Sequence, residues 1–208
     1  LELSATKNQC TASSEAIGHM VAGHLRQWHV KYASRVKSLG SGLGAGRRRN
    51  MVIARKRLAA FKARRSRFDA LKRNGVDTTM LLRTGGISAM TYGQGVMGVA
   101  PSMLRLQRRA AEQASAPRGG GAGRQLDLAL MLADGSEKGR ADPAFAAHSD
   151  PIGQWATAVG GDWMPVTALL RIAADALKRL AAAKSPWHQC EVPAARFVAT
   201  ATRLGWVV

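Results

Sequence analysis

The chain has 208 residues, of which 46% are apolar and five are Trp; this excludes wholesale disorder and allows one domain or two small ones. Its 31 Lys and Arg against 13 Asp and Glu give a net charge of +18, which points to a polyanionic partner. Two cysteines exclude a disulfide framework, and no apolar run approaches the ~20 residues that span a bilayer. The abundance of Ala, Leu, Met, Arg and Lys favours a mainly α fold. The first residue is Leu1 rather than Met, which indicates a fragment or a truncated gene product.

The first 45 residues predict short strands around one helix. Residues 1–13 predict a turn that leads into a strand, and the two serines that follow can cap a helix over 15–30. A short segment at 36–39 predicts a second strand, because it begins with a β-branched residue and ends at a glycine. The glycine-rich residues 40–46 then predict a loop.

Residues 47–73 carry twelve Arg or Lys against a single acid, Asp69. Apolar residues at 51, 54, 58, 61 and 68 follow helical spacing, so this stretch predicts a helix of roughly seven turns that ends at Asn74 and Gly75. Arg65 falls near the middle of the apolar side, where it must reach water or meet an opposite charge. An ordinary surface helix mixes both signs of charge, so this imbalance favours contact with nucleic-acid phosphates. The predicted nucleic-acid-binding residues are Lys37, Arg47, Arg48, Arg55, Lys56, Arg57, Lys62, Arg64, Arg65 and Arg67.

Helical segments separated by glycine and proline are predicted for the rest of the chain. Gly85 and Gly86 predict a break, Pro101 suits the first turn of a helix, and the glycine-rich residues 117–123 predict a linker. The predicted helices cover 79–82, 87–99, 102–114, 126–133, a segment after Pro151, 165–183 and 193–204.

The sequence contains no complete active site or metal site. His19, His24 and His29 are five residues apart, so each turns about 140° from the last on a helix and the three do not converge. His188 and Cys190, on a segment predicted to be extended, are only two ligands. No catalytic triad, Walker A or dinucleotide-binding pattern occurs.

Three stretches carry a family pattern, at residues 1–7, at 36–40 and at 92–98 with 104–108. In this order they resemble parts of non-LTR (LINE-type) retrotransposon reverse transcriptases. Residues 1–7 are similar to the last conserved block of the polymerase palm, and residues 36–40 to the primer-grip hairpin, although Ser38 stands where an aromatic residue is usual. Residues 92–98 together with 104–108 resemble the helices that follow in this family.

The resemblance implies a palm remnant over 1–45, a helical thumb over 46–116, a glycine-rich linker over 117–125 and a helical connection region over 126–208. The catalytic aspartates would lie upstream of Leu1, since no Tyr-x-Asp-Asp pattern occurs in the chain. Lys7 matches a lysine proposed to protonate the leaving pyrophosphate, and it is the single candidate catalytic residue. The parent polymerase is expected to use Mg²⁺, whereas this chain is expected to hold no cofactor and no metal.

The function implied is that of a thumb and connection fragment of an RNA-directed DNA polymerase, which holds an RNA–DNA hybrid or duplex by its phosphates. Alone it would not polymerise. Its expected partners are nucleic acid and the upstream palm and fingers of the same polyprotein, its expected location is the nucleus, and no membrane contact is expected. The alternative is a standalone basic helical RNA- or DNA-binding module with a structural role. A surface for anionic membranes is disfavoured, because the apolar stripe is narrow and has Arg65 in its middle.

Overall fold

The computed structural model describes residues 8–38, 41–45, 49–115, 125–135, 140–161, 164–190 and 192–207. These residues are mainly helical and include two small two-stranded sheets near the N-terminus, as the sequence predicts. The assignment of palm, thumb and connection stays a prediction.

The first sheet pairs strand β1 (Gln9–Cys10) in parallel with β2 (Lys31–Tyr32), on either side of helix α1 (Glu15–His24). The Ser14 side chain caps α1 by accepting from the Ile17 N–H at 3.4 Å. The predicted extension of this helix to residue 30 is wrong. A 3₁₀ turn follows instead, and His29 adopts the left-handed conformation (φ 55°), which turns the chain into β2.

The second sheet is an antiparallel hairpin of β3 (Arg35–Ser38) and β4 (Ser41–Gly44). The glycine-rich segment predicted as a loop is therefore largely a strand. Pairing with β3 satisfies its backbone, and the missing side chain at Gly42 admits Asn50, whose carbonyl would lie 3.1 Å from a Cβ there. The Asn50 amide donates to the Leu43 carbonyl at 3.0 Å and so ties the hairpin to the next helix.

The basic stretch forms two helices, α2 (Val52–Lys62) and α3 (Arg65–Arg73), rather than the single long helix predicted. The chain turns at residues 63–64 between them. The predicted apolar side is confirmed, since Leu58, Phe61 and Phe68 are buried. Helix α3 ends where predicted, with Gly75 in the left-handed conformation (φ 73°).

The predicted break at Gly85 and Gly86 is wrong. Helix α4 (Thr79–Leu81) continues through a π-helical turn (Leu82–Gly86) into α5 (Ile87–Thr91). Gly86 is used for close packing there, because a Cβ would lie 2.8 Å from the Phe61 ring. The chain breaks later, at Tyr92 and Gly93, so the predicted helix over 87–99 is divided and its second part is α6 (Gln94–Met97).

The remaining helices match the sequence closely, with one exception. Helix α9 begins at Pro143, capped by the Asp142 carboxylate, which accepts from the Ala144 N–H at 2.8 Å. The prediction that this helix follows Pro151 is wrong, since Pro151 lies inside it. His188 lies on a 3₁₀ turn (Pro186–Gln189) rather than on an extended segment. The helices are α7 (Pro101–Ser115), α8 (Leu126–Asp134), α9 (Pro143–Gly160), α10 (Val166–Ala181) and α11 (Pro193–Arg203).

Two clusters of buried side chains form the core. The first draws on helices from α2 to α9 and includes Phe61, Leu82 and Leu130. The second lies between α10 and α11, and α9 joins it through Trp155, whose ring stacks on Phe197 at 5.1 Å. The first cluster contains residues from both sides of the predicted linker. That linker itself falls almost wholly on residues 116–124, which the structure does not describe.

Candidate nucleic-acid interface

Helices α2 and α3, with the turn between them, carry a set of exposed basic side chains. Leu58 and Phe61 are buried against the core, residues 55 and 62 flank this buried side of α2, and residue 56 points away from it. The exposed residues between them include Ala59 and Ala60, and these small side chains leave the cations accessible. We call the following set the basic face: Arg55, Lys56, Lys62, Arg64 and Arg67, all of them exposed.

The carboxylates that the structure describes do not neutralise the charge of the basic face. Within the described residues, no carboxylate oxygen lies within 4.0 Å of a side-chain nitrogen of these five residues. Asp69, the one acid of the stretch, instead pairs with Arg65 at 3.6 Å and with Lys72 at 3.3 Å. The expectation that Arg65 meets an opposite charge is thus confirmed, although its side chain is also 61% exposed. The face therefore carries five cations that are available to phosphates.

Arg57 belongs to the same stretch but has a different environment. It is half-buried, its guanidinium carbon lies 4.7 Å from the centre of the Tyr92 ring, and it donates a hydrogen bond to the Tyr92 carbonyl. These contacts tie α2 to the break between α5 and α6. Arg57 therefore has a structural role, which could not be recognised from its position in a basic stretch of the sequence.

The other predicted site residues are placed unevenly. Lys37 is exposed on β3, opposite Gly42 of β4, and lies on the hairpin rather than on the basic face. Arg47 and Arg48 fall among residues 46–48, outside the described part of the chain. Lys7 is likewise outside it, so its proposed catalytic role stays a prediction.

Three arginines that the sequence did not single out converge on α6 and on the two residues after it. Arg49 donates to the Gly98 carbonyl at 2.8 Å, and Arg196 donates to the Gly95 carbonyl at 3.1 Å. Arg203 donates to the Val99 carbonyl at 2.9 Å and lies 4.5 Å from the centre of the Trp187 ring. Arg196 is buried, and Arg49 and Arg203 are half-buried.

Burial changes the acid–base properties of these three side chains. It lowers the pKa of Arg196 and of Arg203 to about 10 each, and it also lowers the pKa of Arg49. The carbonyl groups that they bind belong to α6 and to the two residues after it, so the guanidinium groups satisfy backbone acceptors there. These three arginines contribute to the net charge of +18, but they hold α6 in place and are not available to a partner.

The acids that the structure describes do not assemble into a metal centre. Within the described ranges, no group of three or more His, Cys, Asp or Glu could hold a metal ion. Asp142 and Asp127 both bind Arg108, at 2.8 and 2.5 Å. The Mg²⁺ expected for the parent polymerase would be held by aspartates upstream of Leu1, so that expectation stays a prediction. Over the same residues, no helix is long and apolar enough to cross a membrane.

No protein family, curated protein or solved structure matches the chain. The relation to reverse transcriptases therefore rests on the sequence motifs alone and stays a prediction.

Proposed function

We propose that this chain binds duplex or RNA–DNA hybrid nucleic acid through the phosphate backbone, without reading the base sequence. The observation that supports the proposal is the basic face, which displays five exposed cations with no carboxylate beside them among the described residues. Binding of phosphates releases condensed counterions, which favours association without any base contact.

The geometry of the basic face suits an extended polyanion. Arg55 and Lys62 are seven residues apart on α2, which places them about 10 Å apart along one side of the helix. Arg64, in the turn before α3, and Arg67, in the first turn of α3, are exposed as well. If all five cations meet phosphates, the logarithm of the binding constant should fall with the logarithm of salt concentration with a slope of about −4.5.

In this proposal the chain is the thumb and connection part of a non-LTR retrotransposon reverse transcriptase. Support comes from the order of the three motifs and from the position of α2 and α3 directly after the hairpin of β3 and β4. Chemistry would take place on aspartates supplied from upstream, so this chain would hold the duplex and would not polymerise by itself.

One observation favours the alternative of a standalone binding module. The two buried clusters are joined through α9, so the described residues have a hydrophobic core of their own. The gene sequence upstream of the Leu1 codon separates the two candidates. Paired palm aspartates in the same reading frame support the polymerase, and a start codon immediately before Leu1 supports the module.

The binding proposal is tested with the triple variant Arg55→Ala/Lys62→Ala/Arg64→Ala. Its affinity for a labelled RNA–DNA hybrid is measured by fluorescence anisotropy between about 50 and 200 mM salt, where three lost contacts should flatten the slope by about 2.7. The matched control is Arg171→Ala/Lys178→Ala/Lys184→Ala, which removes the same charge from exposed positions on and after α10. Equal slopes for the wild type and the first variant would refute the proposal.

A further inference from the structure

A cleft of about 580 Å³ lies beside the basic face. It is bounded by the open end of the β3–β4 hairpin, by the first residues of α2 and α7, and by the 3₁₀ turn at 186–189. Its volume falls within the range of small-molecule sites, about 300–1,000 Å³. The cleft therefore has room for a group the size of a nucleotide.

Basic side chains line the described part of the cleft. They are Arg35, Arg49, Arg55 and His188, and no Asp or Glu is among the described lining residues. Arg35, Arg55 and His188 are exposed, whereas Arg49 is fixed by its bonds to the segment after α6. Arg49 still has a buried Nε that finds no hydrogen-bond partner within the described residues. Cations gathered in one concave site repel one another, and a bound anion removes that cost.

The backbone adds to the positive potential of the cleft. Ala100, Ser102 and Met103 line it at the first turn of the 15-residue helix α7. The N–H groups of a first helical turn lack partners within the helix and carry partial positive charge. The hydroxyls of Ser34 and Ser102, which also line the cleft, are further donors.

We propose that this cleft binds a phosphate monoester, either the terminal phosphate of a nucleic-acid strand or that of a free nucleotide. A monoester carries a charge of about −1.5 to −2 and three acceptor oxygens, which match several converging donors. A phosphodiester inside a strand offers one charge and two free oxygens, so the cleft should prefer a strand end. The site goes beyond the proposed backbone binding, because Arg55 is its only cation that belongs to the basic face.

The test compares hybrid duplexes of one sequence that end either in phosphate or in hydroxyl groups, together with free AMP and adenosine. The wild type should bind the phosphate-ended duplex roughly tenfold more tightly than the hydroxyl-ended duplex, or AMP roughly tenfold more tightly than adenosine. The variant Arg35→Gln/His188→Gln should lose this preference and keep its affinity for the hydroxyl-ended duplex. Its matched control is Arg26→Gln/His24→Gln, which replaces the same two residue types at exposed positions in and after α1.

The two sources of phosphate give different results. A preference for phosphate ends without AMP binding identifies a strand end, and AMP binding without an end preference identifies a free nucleotide. Equal affinity for both duplexes combined with no AMP binding overturns the proposal. The AMP measurement is made by titration calorimetry and does not depend on duplex binding. It therefore tests the phosphate site separately from the proposed binding of nucleic acid by the basic face.

Discussion

Arg57 and Arg67 look equivalent in the sequence, yet the structure predicts opposite consequences for their loss. Arg67 is exposed on α3, and Arg57 is half-buried against Tyr92. We expect Arg57→Ala to reduce stability and to leave salt-dependent binding nearly unchanged. We expect Arg67→Ala to leave stability unchanged and to weaken binding.

The magnitude for Arg57 follows from its two contacts. A hydrogen bond from a charged donor contributes about 1.5–3 kcal/mol, and a cation–π contact at a partly exposed site about 0.5–1 kcal/mol. The lower end applies to the hydrogen bond, because water can reach the Tyr92 carbonyl once the arginine is gone. Arg57→Ala should therefore cost about 2 kcal/mol of unfolding free energy, whereas Arg67→Ala should stay within about 0.5 kcal/mol of the wild type.

Urea unfolding followed by circular dichroism measures the first effect. With an m value of about 2 kcal/mol/M, the midpoint of Arg57→Ala should fall by about 1 M. Anisotropy titrations across salt concentration measure the second effect, where Arg67→Ala should flatten the slope by about 0.9 and Arg57→Ala should not. A third variant, Tyr92→Leu, keeps the carbonyl but removes the ring, and should cost about 0.5–1 kcal/mol.

Equal changes in stability and in salt slope for Arg57→Ala and Arg67→Ala would contradict both expectations. Arg57→Ala with wild-type stability and a flattened slope would show that Arg57 contacts phosphates and that its contact with Tyr92 contributes nothing.

Two further predictions concern stability. Gly98 has φ 62° and ψ 164°, a conformation open almost only to glycine, and a Cβ there would lie 3.2 Å from the Arg196 side chain. Gly98→Ala should therefore lower the free energy of unfolding by about 3 kcal/mol, measured with urea. Gly75 has φ 73° but nothing within 4 Å of a Cβ placed there, so Gly75→Ala should lower it by about 1 kcal/mol. Equal losses for the two variants would contradict this account. Burial, and secondarily the charge of Arg203, lowers the pKa of His148 below the ordinary 6.5. The unfolded chain therefore takes up the proton at a higher pH than the folded chain does. The stability of the wild type should then fall more steeply than that of His148→Gln as the pH drops below 6.5. Urea midpoints of the two proteins that run parallel from pH 7.5 to 5 (roughly the histidine range) would disprove this expectation.

Features that depend on neighbouring residues along the chain could be predicted from the sequence. The apolar side of the basic stretch, the helix end at Gly75 and the helix start at Pro101 are all confirmed. Each is set within one or two turns, by the spacing of apolar residues or by a residue with a strong backbone preference. The concentration of positive charge in residues 47–73 follows directly from counting the charged residues in the sequence.

Features that depend on distant residues could not be predicted. The glycine-rich residues 41–44 form a strand because β3 lies beside them, and Gly86 stays helical because Phe61 packs against it. In both places the local preference of glycine for turns is outweighed by contacts with another part of the chain.

The amino-acid sequence alone shows that the protein is basic, and it is enough to predict a mainly helical fold. Which cations stay accessible depends on the tertiary structure, because some of them donate hydrogen bonds to carbonyls far away in the sequence. Arg196 is buried and Arg57 and Arg203 are half-buried, whereas the residues of the basic face are exposed. The fold likewise brings Arg35, Arg49 and His188 to one cleft, although His188 is more than a hundred residues away from the other two in the sequence.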